Sequence, residues 1–316
     1  MRVATSLAEI EALRPLWEHL EKQPGSTMFQ NYVWSMAAAR NFSDREQPLV
    51  IALESDAGAV IVPAVQTGPG SASFLGELLF DYRDVLSSGE ADLVPEALAE
   101  LGRRGCDLSL TALRDGCLLM TSSIGGVTPW VGAPRLRGAD IAADAFLAQH
   151  FKARKQMRRL RRIGADFNLY PGDATTLLQW VYDRKAEQFA GAAAIFSDAR
   201  RRQCMIEIAR SSGARCEVFT IEFGSAIVGA LVTFRDRDVR RLYTIWHDGR
   251  WDEFSPGIVL LLHACHESLL ERLDVDFLTG EQPHKTRFAT SRVQLYRFAA
   301  DAAGLLGVDE PTSIAA

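Results

Sequence analysis

The chain is predicted to be an α+β protein made of two related halves, each a mixed, mainly antiparallel sheet flanked by helices. Three observations predict it. The same order of elements is read twice along the 316 residues. Residues at matching places in the two passages recur at a nearly constant offset. Each passage also holds two apolar, β-rich runs joined by a tight turn and set among helical patterns. A chain of this length, 47% hydrophobic and 24% charged, can bury one large core or two ordinary ones, and two suits the repeat.

The elements follow in order. A helical pattern over Leu7 to Glu21 precedes a segment from Phe29 to Arg40. In the second passage a helix over Thr175 to Gln188 precedes a segment from Phe196 to Arg210, so the segment ends are offset by 167 and 170. Next come the hairpin runs, Leu49 to Val65 and Glu217 to Phe234. Asp56-Ala57-Gly58 and Gly224-Ser225 supply residues that tolerate positive φ, and β-branched residues crowd both sides. Glu54 and Glu222 occupy equivalent places, 168 apart. A further strand-like stretch and an acidic loop then lead into a helix, about Asp92 to Arg104 or Pro256 to Arg272, and a short strand containing Asp107 or Asp276, offset 169. The predicted organisation is a first half over 1–134, a linker over 135–150 with turn character from Pro134, Arg137, Gly138 and Asp140, a second half over 151–300, and an Ala- and Gly-rich tail over 301–316.

Composition excludes several classes. A net charge of -5 and a pI near 5.8 exert no overall pull toward nucleic acid or anionic membrane. The N-terminus is a charged amphipathic pattern without a signal peptide's apolar core, and no stretch reaches the roughly 18 apolar residues of a spanning helix. A soluble, cytoplasmic protein is expected. The five cysteines, Cys106, Cys117, Cys204, Cys216 and Cys265, are scattered without a C-x-x-C pair, so they are expected to be reduced and mostly buried. His263 and His266 beside Glu267 lack a recognised metal-ligand spacing, and no metal site is assigned.

The strongest local signal is Asp252-Glu253-Phe254-Ser255-Pro256-Gly257, which feeds directly into the apolar run from Ile258. Ser255 suits an N-cap, Pro256 a first helical position, and Gly257 leaves the following amides uncovered. An anion could approach the unpaired N–H donors and the positive end of the dipole there. The plain alternative is the start of a buried helix. At the corresponding place the first half has Glu90 and Asp92, whose carboxylates would repel a phosphate, so the anion site is assigned to the second half.

The order and spacing of four passages carry a resemblance over most of the chain. They are KARKQMRRLRRIGADFNLY (Lys152 to Tyr170), FSPGIVLLLHA (Phe254 to Ala264), DFLTGEQPHKTRF (Asp276 to Phe288) and FDYRD (Phe80 to Asp84). With them the chain resembles the cellulose-biosynthesis (CelD-like) acetyltransferases of the GNAT superfamily, relatives of the Fem-like aminoacyl transferases. The resemblance implies tandem GNAT-like halves and an acyl-CoA co-substrate whose pyrophosphate sits on Ser255, Pro256, Gly257 and Ile258. It also implies direct attack of an acceptor amine or hydroxyl on the thioester, with a base taking the acceptor's proton and backbone amides stabilising the oxyanion. Candidate bases are Glu281, Asp248 and His247. The family's usual Tyr-Lys is His284-Lys285 here, and its common Gly-Asp is Gly280-Glu281; His284 is therefore the candidate proton donor to the leaving thiolate. Asp81 and Asp84 of the first half, with Lys285 and Arg287, are candidates for holding a small-molecule acceptor, an amino sugar or an envelope polysaccharide precursor being the class implied. Each carboxylate also has an ordinary reading as a solvated loop residue, and Lys285 or Arg287 as an ion-pair partner of Glu281 or Asp276.

Seven cations, Lys152, Arg154, Lys155, Arg158, Arg159, Arg161 and Arg162, fall within eleven residues, leaving Phe151, Met157 and Leu160 as a narrow apolar face. Such a helix could touch an anionic acceptor, a cofactor phosphate or nucleic acid, although no helix-turn-helix, zinc finger or set of stacking aromatics accompanies it. Two other functions stay open: a catalytically silent GNAT-like scaffold, and a Fem-like transferase using aminoacyl-tRNA.

Overall fold

A computed structural model of the chain describes residues 1–76, 78–89, 93–122, 124–171, 175–188, 195–211 and 215–307. Its packing separates into two compact units, Met1–Val131 together with the chain from Gln294 onward, and Gly132–Val293.

The first unit opens with β1 (Arg2–Ala4) and α1 (Leu7–Ala12). Ser6 Oγ accepts the Glu9 amide while the Glu9 carboxylate accepts the Ser6 amide, which satisfies two orphan donors reciprocally and sets where α1 begins. The expected helix over 7–21 is divided, because Pro15 is accommodated only in the first turn of a new helix, α2 (Arg14–Leu20). After α3 (Tyr32–Asn41) come β2 (Gln47–Pro48), β3 (Val50–Ser55), β4 (Gly58–Val62), β5 (Ala64–Gly68), β6 (Ser71–Phe74), β7 (Leu86–Gly89), α4 (Leu93–Arg103), β8 (Asp107–Arg114) and α5 (Leu118–Thr121). The unit also takes the first part of β9 (Gly126–Leu136), most of β15 (Ser291–Ala300), and α12 (Ala302–Leu305). β1, β3, β4 and β7 form one antiparallel sheet; β2, β5, β6, β8 and β15 lie in that order in another, with β6 and β8 parallel.

The predicted hairpin is β3–β4, with Ser55 opposite Gly58. Gly58 has φ 145°, and a Cβ there would lie 2.0 Å from the Ser88 carbonyl oxygen of β7, so the close approach of that strand requires glycine. α4 lays Leu93, Ala97, Leu98 and Leu101 on Val60, Val62, Leu108, Leu110 and Phe298, which closes this core. Asp92, expected to open α4, lies outside the described residues.

The second unit takes the rest of β9, then α6 (Ala143–Gln149), α7 (Phe151–Arg162), β10 (Asp166–Pro171), α8 (Thr175–Gln188), α9 (Ala199–Arg210), β11 (Arg215–Phe223), β12 (Ala226–Asp236), β13 (Val239–His247), α10 (Pro256–Leu270), β14 (Asp274–Asp276) and α11 (Pro283–Thr286). Its strands run in the order β10, β11, β12, β13, β14, β9. The first four are antiparallel neighbours, β13 and β14 are parallel, and β14 pairs antiparallel with β9. α10 crosses this sheet and contributes Val259, Leu260, Leu261, Leu262 and Cys265 to the second core, where Gly229 of β12 leaves room for Leu260.

The architecture is the expected mixed α+β one, with sheets flanked by helices, and each unit contains in order helix, helix, hairpin, strand, helix, strand: α2, α3, β3–β4, β7, α4 and β8 in the first, α8, α9, β11–β12, β13, α10 and β14 in the second. Three expectations are corrected. Residues 135–150 are not a loose linker: β9 continues to Leu136, and α6 buries Phe146 in the second core. The stretch from Gln294 belongs to the first unit rather than the second, because Leu295 and Phe298 pair with Arg114 and Leu110 of β8. Phe151 is 65% exposed, and Ala153 replaces it beside Met157 and Leu160 on the buried face of α7.

Candidate active site

The site in the second unit begins with how β13 and β14 part. They pair in parallel only over Val239–Arg241 and Asp274–Asp276. Buried Asp276 holds the base of this fork, pairing through Oδ2 with Arg241 and with Arg135 (3.4 Å) while its Oδ1 accepts the Leu278 amide at 2.9 Å. That last bond stabilises the turn that ends the strand, where Leu278 takes a left-handed backbone, φ 61°. The adjacent Arg240 is fully buried, shared among Glu217 and Glu271 at 3.0 Å each and Ser268 Oγ at 2.9 Å. Asp276 and Arg240 thus each meet more than one partner of opposite charge or hydrogen-bonding capacity, as buried ions must, while Arg135 keeps a buried Nε without a hydrogen bond.

Beyond Arg241, β13 continues alone on that side to His247. The Asp248 amide donates to the Val228 carbonyl on β12. Antiparallel bonding alternates, so the backbone groups of Ile245 and His247 point to the opposite, open edge. There the Lys185 ammonium, reaching from α8, donates to the Ile245 carbonyl at 2.7 Å.

α10 starts beside this edge without the expected cap. Ser255 stands at the N-cap position in a left-handed conformation (φ 51°, ψ 56°), and its side chain makes no cap hydrogen bond. A non-glycine residue held there costs roughly 1–2 kcal/mol, and the usual reward of an N-cap serine is absent. Pro256 has no N–H, so Gly257 and Ile258 carry the uncovered amides at the positive helix end. A Cβ on Gly257 would stand 3.3 Å from His247 Nδ1, which makes glycine the residue that lets the ring and the helix start meet.

These pieces surround a cavity of about 410 Å³ lined by Lys185, Gln188, Ile245, His247, Asp252, Ser255, Gly257, Ile258, Leu261 and His284. His247 Nε2 lies 3.0 Å from Asp252 Oδ1. Burial, then the charges of Lys285 and Lys185, pushes His284 below the ordinary imidazole range, which favours the neutral ring. Burial brings Lys185 down to about 8.

Of the residues singled out from the sequence, the cavity therefore gathers His247, His284, Ser255, Gly257 and Ile258; Pro256 is buried between them at the helix start. The others stand elsewhere. Asp248 caps the short 3-10 helix Gly249–Phe254, accepting the Arg250 amide at 3.0 Å, and its bond to the Arg250 side chain holds it below the usual carboxylate range. Glu281 accepts the Gly132 amide at 3.0 Å and pairs with Arg292 at 3.0 Å. Lys285 donates to the Thr279 carbonyl at 2.7 Å, and Arg287 is exposed at the end of α11, so the partners of Glu281 and Asp276 are arginines other than the one expected. Asp84, in the first unit, is buried and accepts the amides of Val85 (2.9 Å), Leu118 (3.1 Å) and Leu119 (3.3 Å). Burial nevertheless raises it to about 6. Asp81 is half-buried in the same unit. Lys185 was not singled out, and Asp252 was named only as the first residue of the stretch leading into α10, without a role in the site. Lys185 carries no local motif, since only the fold brings α8 to the edge of β13.

Residues 149–286 match the family model described as an acetyltransferase (GNAT) domain. The match defines the class: the second unit carries a GNAT-type acetyltransferase domain, the domain of acyl-transferring enzymes. No curated protein matches the chain in sequence. Among solved structures it is similar in fold to the C-terminal domain of a putative lysylphosphatidylglycerol synthetase from Agrobacterium fabrum, with 12% identity, 96% of each chain covered and a TM-score of 0.62. L-PGS from Bacillus licheniformis follows with 9% identity, 98% of this chain and 94% of that one covered and a TM-score of 0.60. FemX gives 9% identity, 95% and 97% coverage and a TM-score of 0.57. At such identities the likeness is one of fold. Among the described residues no helix is long and apolar enough to cross a membrane.

Proposed function

We propose that the protein is an acyl-CoA-dependent N- or O-acyltransferase of the CelD-like kind, with its chemistry in the second unit. The observation that carries this reading is the meeting, in one cavity, of the open β13 edge and the uncapped start of α10. A thioester laid along the edge would find the amides of Ile245 and His247 pointing at it, and a pyrophosphate would find those of Gly257 and Ile258. CoA would supply the activated acyl group as a thioester.

The cavity residues divide the proton work. Neutral His284 accepts the proton of the attacking amine or hydroxyl, and the Lys185 ammonium donates one to the departing thiolate. His247, held against Asp252, sits between the two anion-binding ends and orients the substrate. In this reading Glu281 and Asp248 are struts of the site. Asp81, Asp84, Lys285 and Arg287 remain acceptor candidates only through the resemblance. An amino-sugar or envelope-precursor acceptor rests on that resemblance too, as does a cytoplasmic setting.

Calorimetry with acetyl-CoA tests the reading. Saturable binding by the unmodified protein, lost in a Gly257→Glu variant of equal thermal stability, is expected; absence of binding with every acyl-CoA tried would overturn it. A transferase using aminoacyl-tRNA is the second reading, favoured by the fold shared with FemX and by the exposed cations of α7. Tight aminoacyl-tRNA binding without acyl-CoA binding would select it.

A further inference from the structure

α7 presents a stripe of charge that the acyl-transfer site does not use. Its buried face is Ala153, Met157 and Leu160, so at 100° per residue the centre of the opposite face is Phe151, Lys155, Arg158 and Arg162, spaced i, i+4, i+7, i+11. All four are exposed. Two other cations of the helix are engaged by the fold: Arg159 lies over the Phe254 ring at 4.9 Å and near Glu253 at 3.9 Å, and Arg161 lies over Phe167 at 5.0 Å. Among the described residues Lys155, Arg158 and Arg162 have no such partner, in a protein whose net charge is -5.

The apolar side chains of the region are exposed as well. Phe151 is 65% accessible and Ile163, at the end of the helix, 52%. Leu169 of the edge strand β10 is 45% accessible and lies two residues from Phe167, hence on the sheet face that α7 covers. Large apolar side chains among unpaired cations match the two demands of a phospholipid surface, anionic headgroups and an apolar boundary just below them. A polynucleotide would use the cations equally well, yet it gains from flat rings that stack, and Ile163 and Leu169 offer none.

We infer that the outer face of α7, with Phe151 as its anchor, docks the protein peripherally on an anionic phospholipid bilayer. Each cation near such a surface strengthens binding by roughly a factor of five, and the attraction is screened by salt. The test is co-sedimentation with vesicles of phosphatidylcholine alone or with 30 mol% phosphatidylglycerol, a hypothetical composition of about physiological charge, with a single-stranded RNA oligonucleotide as competitor. Expected are binding to the anionic vesicles only, reversal at about 0.5 M salt where screening lengths fall below about 5 Å, and at least twenty-five-fold weakening in Arg158→Glu/Arg162→Glu. Phe151→Ser should weaken vesicle binding several-fold while leaving any RNA binding unchanged, with the thermal midpoints of all variants matched. No binding to anionic vesicles overturns the proposal. So does vesicle binding indifferent to Phe151, or RNA that displaces the protein from vesicles and binds more tightly than they do; the latter outcome would make α7 a nucleic-acid face.

Discussion

Lys185 is the residue whose chemistry and stability pull in opposite directions. Its amine is buried against a carbonyl edge, and burial lowers it to about 8, so between that value and the ordinary value near 10.5 the unfolded chain holds a proton that the folded chain has released. Stability contributed by this group therefore rises with pH across that window, and below it the buried charge is a constant cost. Lys185→Met should raise thermal stability, by on the order of 1–3 kcal/mol, while lowering kcat at least a hundredfold if the ammonium protonates the thiolate. In the unmodified enzyme kcat should fall as pH rises through about 8, and that decline should vanish in the variant. A variant that is less stable and equally active would refute both roles. Ser255 offers a second check: its left-handed backbone and missing cap bond predict that Ser255→Gly leaves stability unchanged or raises it by about 1 kcal/mol, measured by urea denaturation, whereas an ordinary N-cap serine would lose stability.

At the scale of elements, much was legible because periodicity and punctuation are local. α8 runs over the residues expected, and both hairpins turn where Gly58 and Gly224 stand. Helix ends were less legible, as with Pro15, which divides one apparent helix into two. The close packing of α4 against α12 had no sequence signal at all: a Cβ on Gly102 would lie 2.6 Å from the Ala302 carbonyl oxygen. Gly102→Ala, favoured by helix propensity alone, should instead destabilise the first unit by about 1–3 kcal/mol, visible as a lower denaturation midpoint. An increase in stability would mean that α12 moves aside freely. The Asp276 turn is a further case, since a residue expected to lie in a short strand proves to end it by binding an amide two residues on.

For the whole molecule, the division of packing carries the prediction. Gly132–Val293 is continuous in sequence and has its own core, so that segment expressed alone is expected to fold and, on the proposed function, to bind acetyl-CoA. The first unit is discontinuous. Removing the chain from Gln294 takes Phe298, Ala300 and Leu305 out of its core, and far-ultraviolet circular dichroism should then show one unit unfolded and one retained. Loss of both units would contradict two separate cores.

By itself the sequence determined the fold class, the repeated order of elements, the placement of the apolar runs and where α10 begins, the place it marks as a candidate anion site. All of these depend on side-chain periods and turn chemistry confined to neighbouring residues. Tertiary structure alone decided which of the polar residues are held by other groups and which line the cavity. Glu281, Asp248 and Asp84 looked alike in sequence with any catalytic carboxylate; Glu281 and Asp84 are occupied by amides or an arginine brought from elsewhere in the fold, and Asp248 by Arg250, two residues along the chain. Lys185, inconspicuous in its helix, is brought sixty residues along the chain to the open edge of a strand. The reason is that a carboxylate's or an amine's reactivity is set by burial and by its nearest donors and acceptors, and those arrive by contacts that sequence proximity does not record.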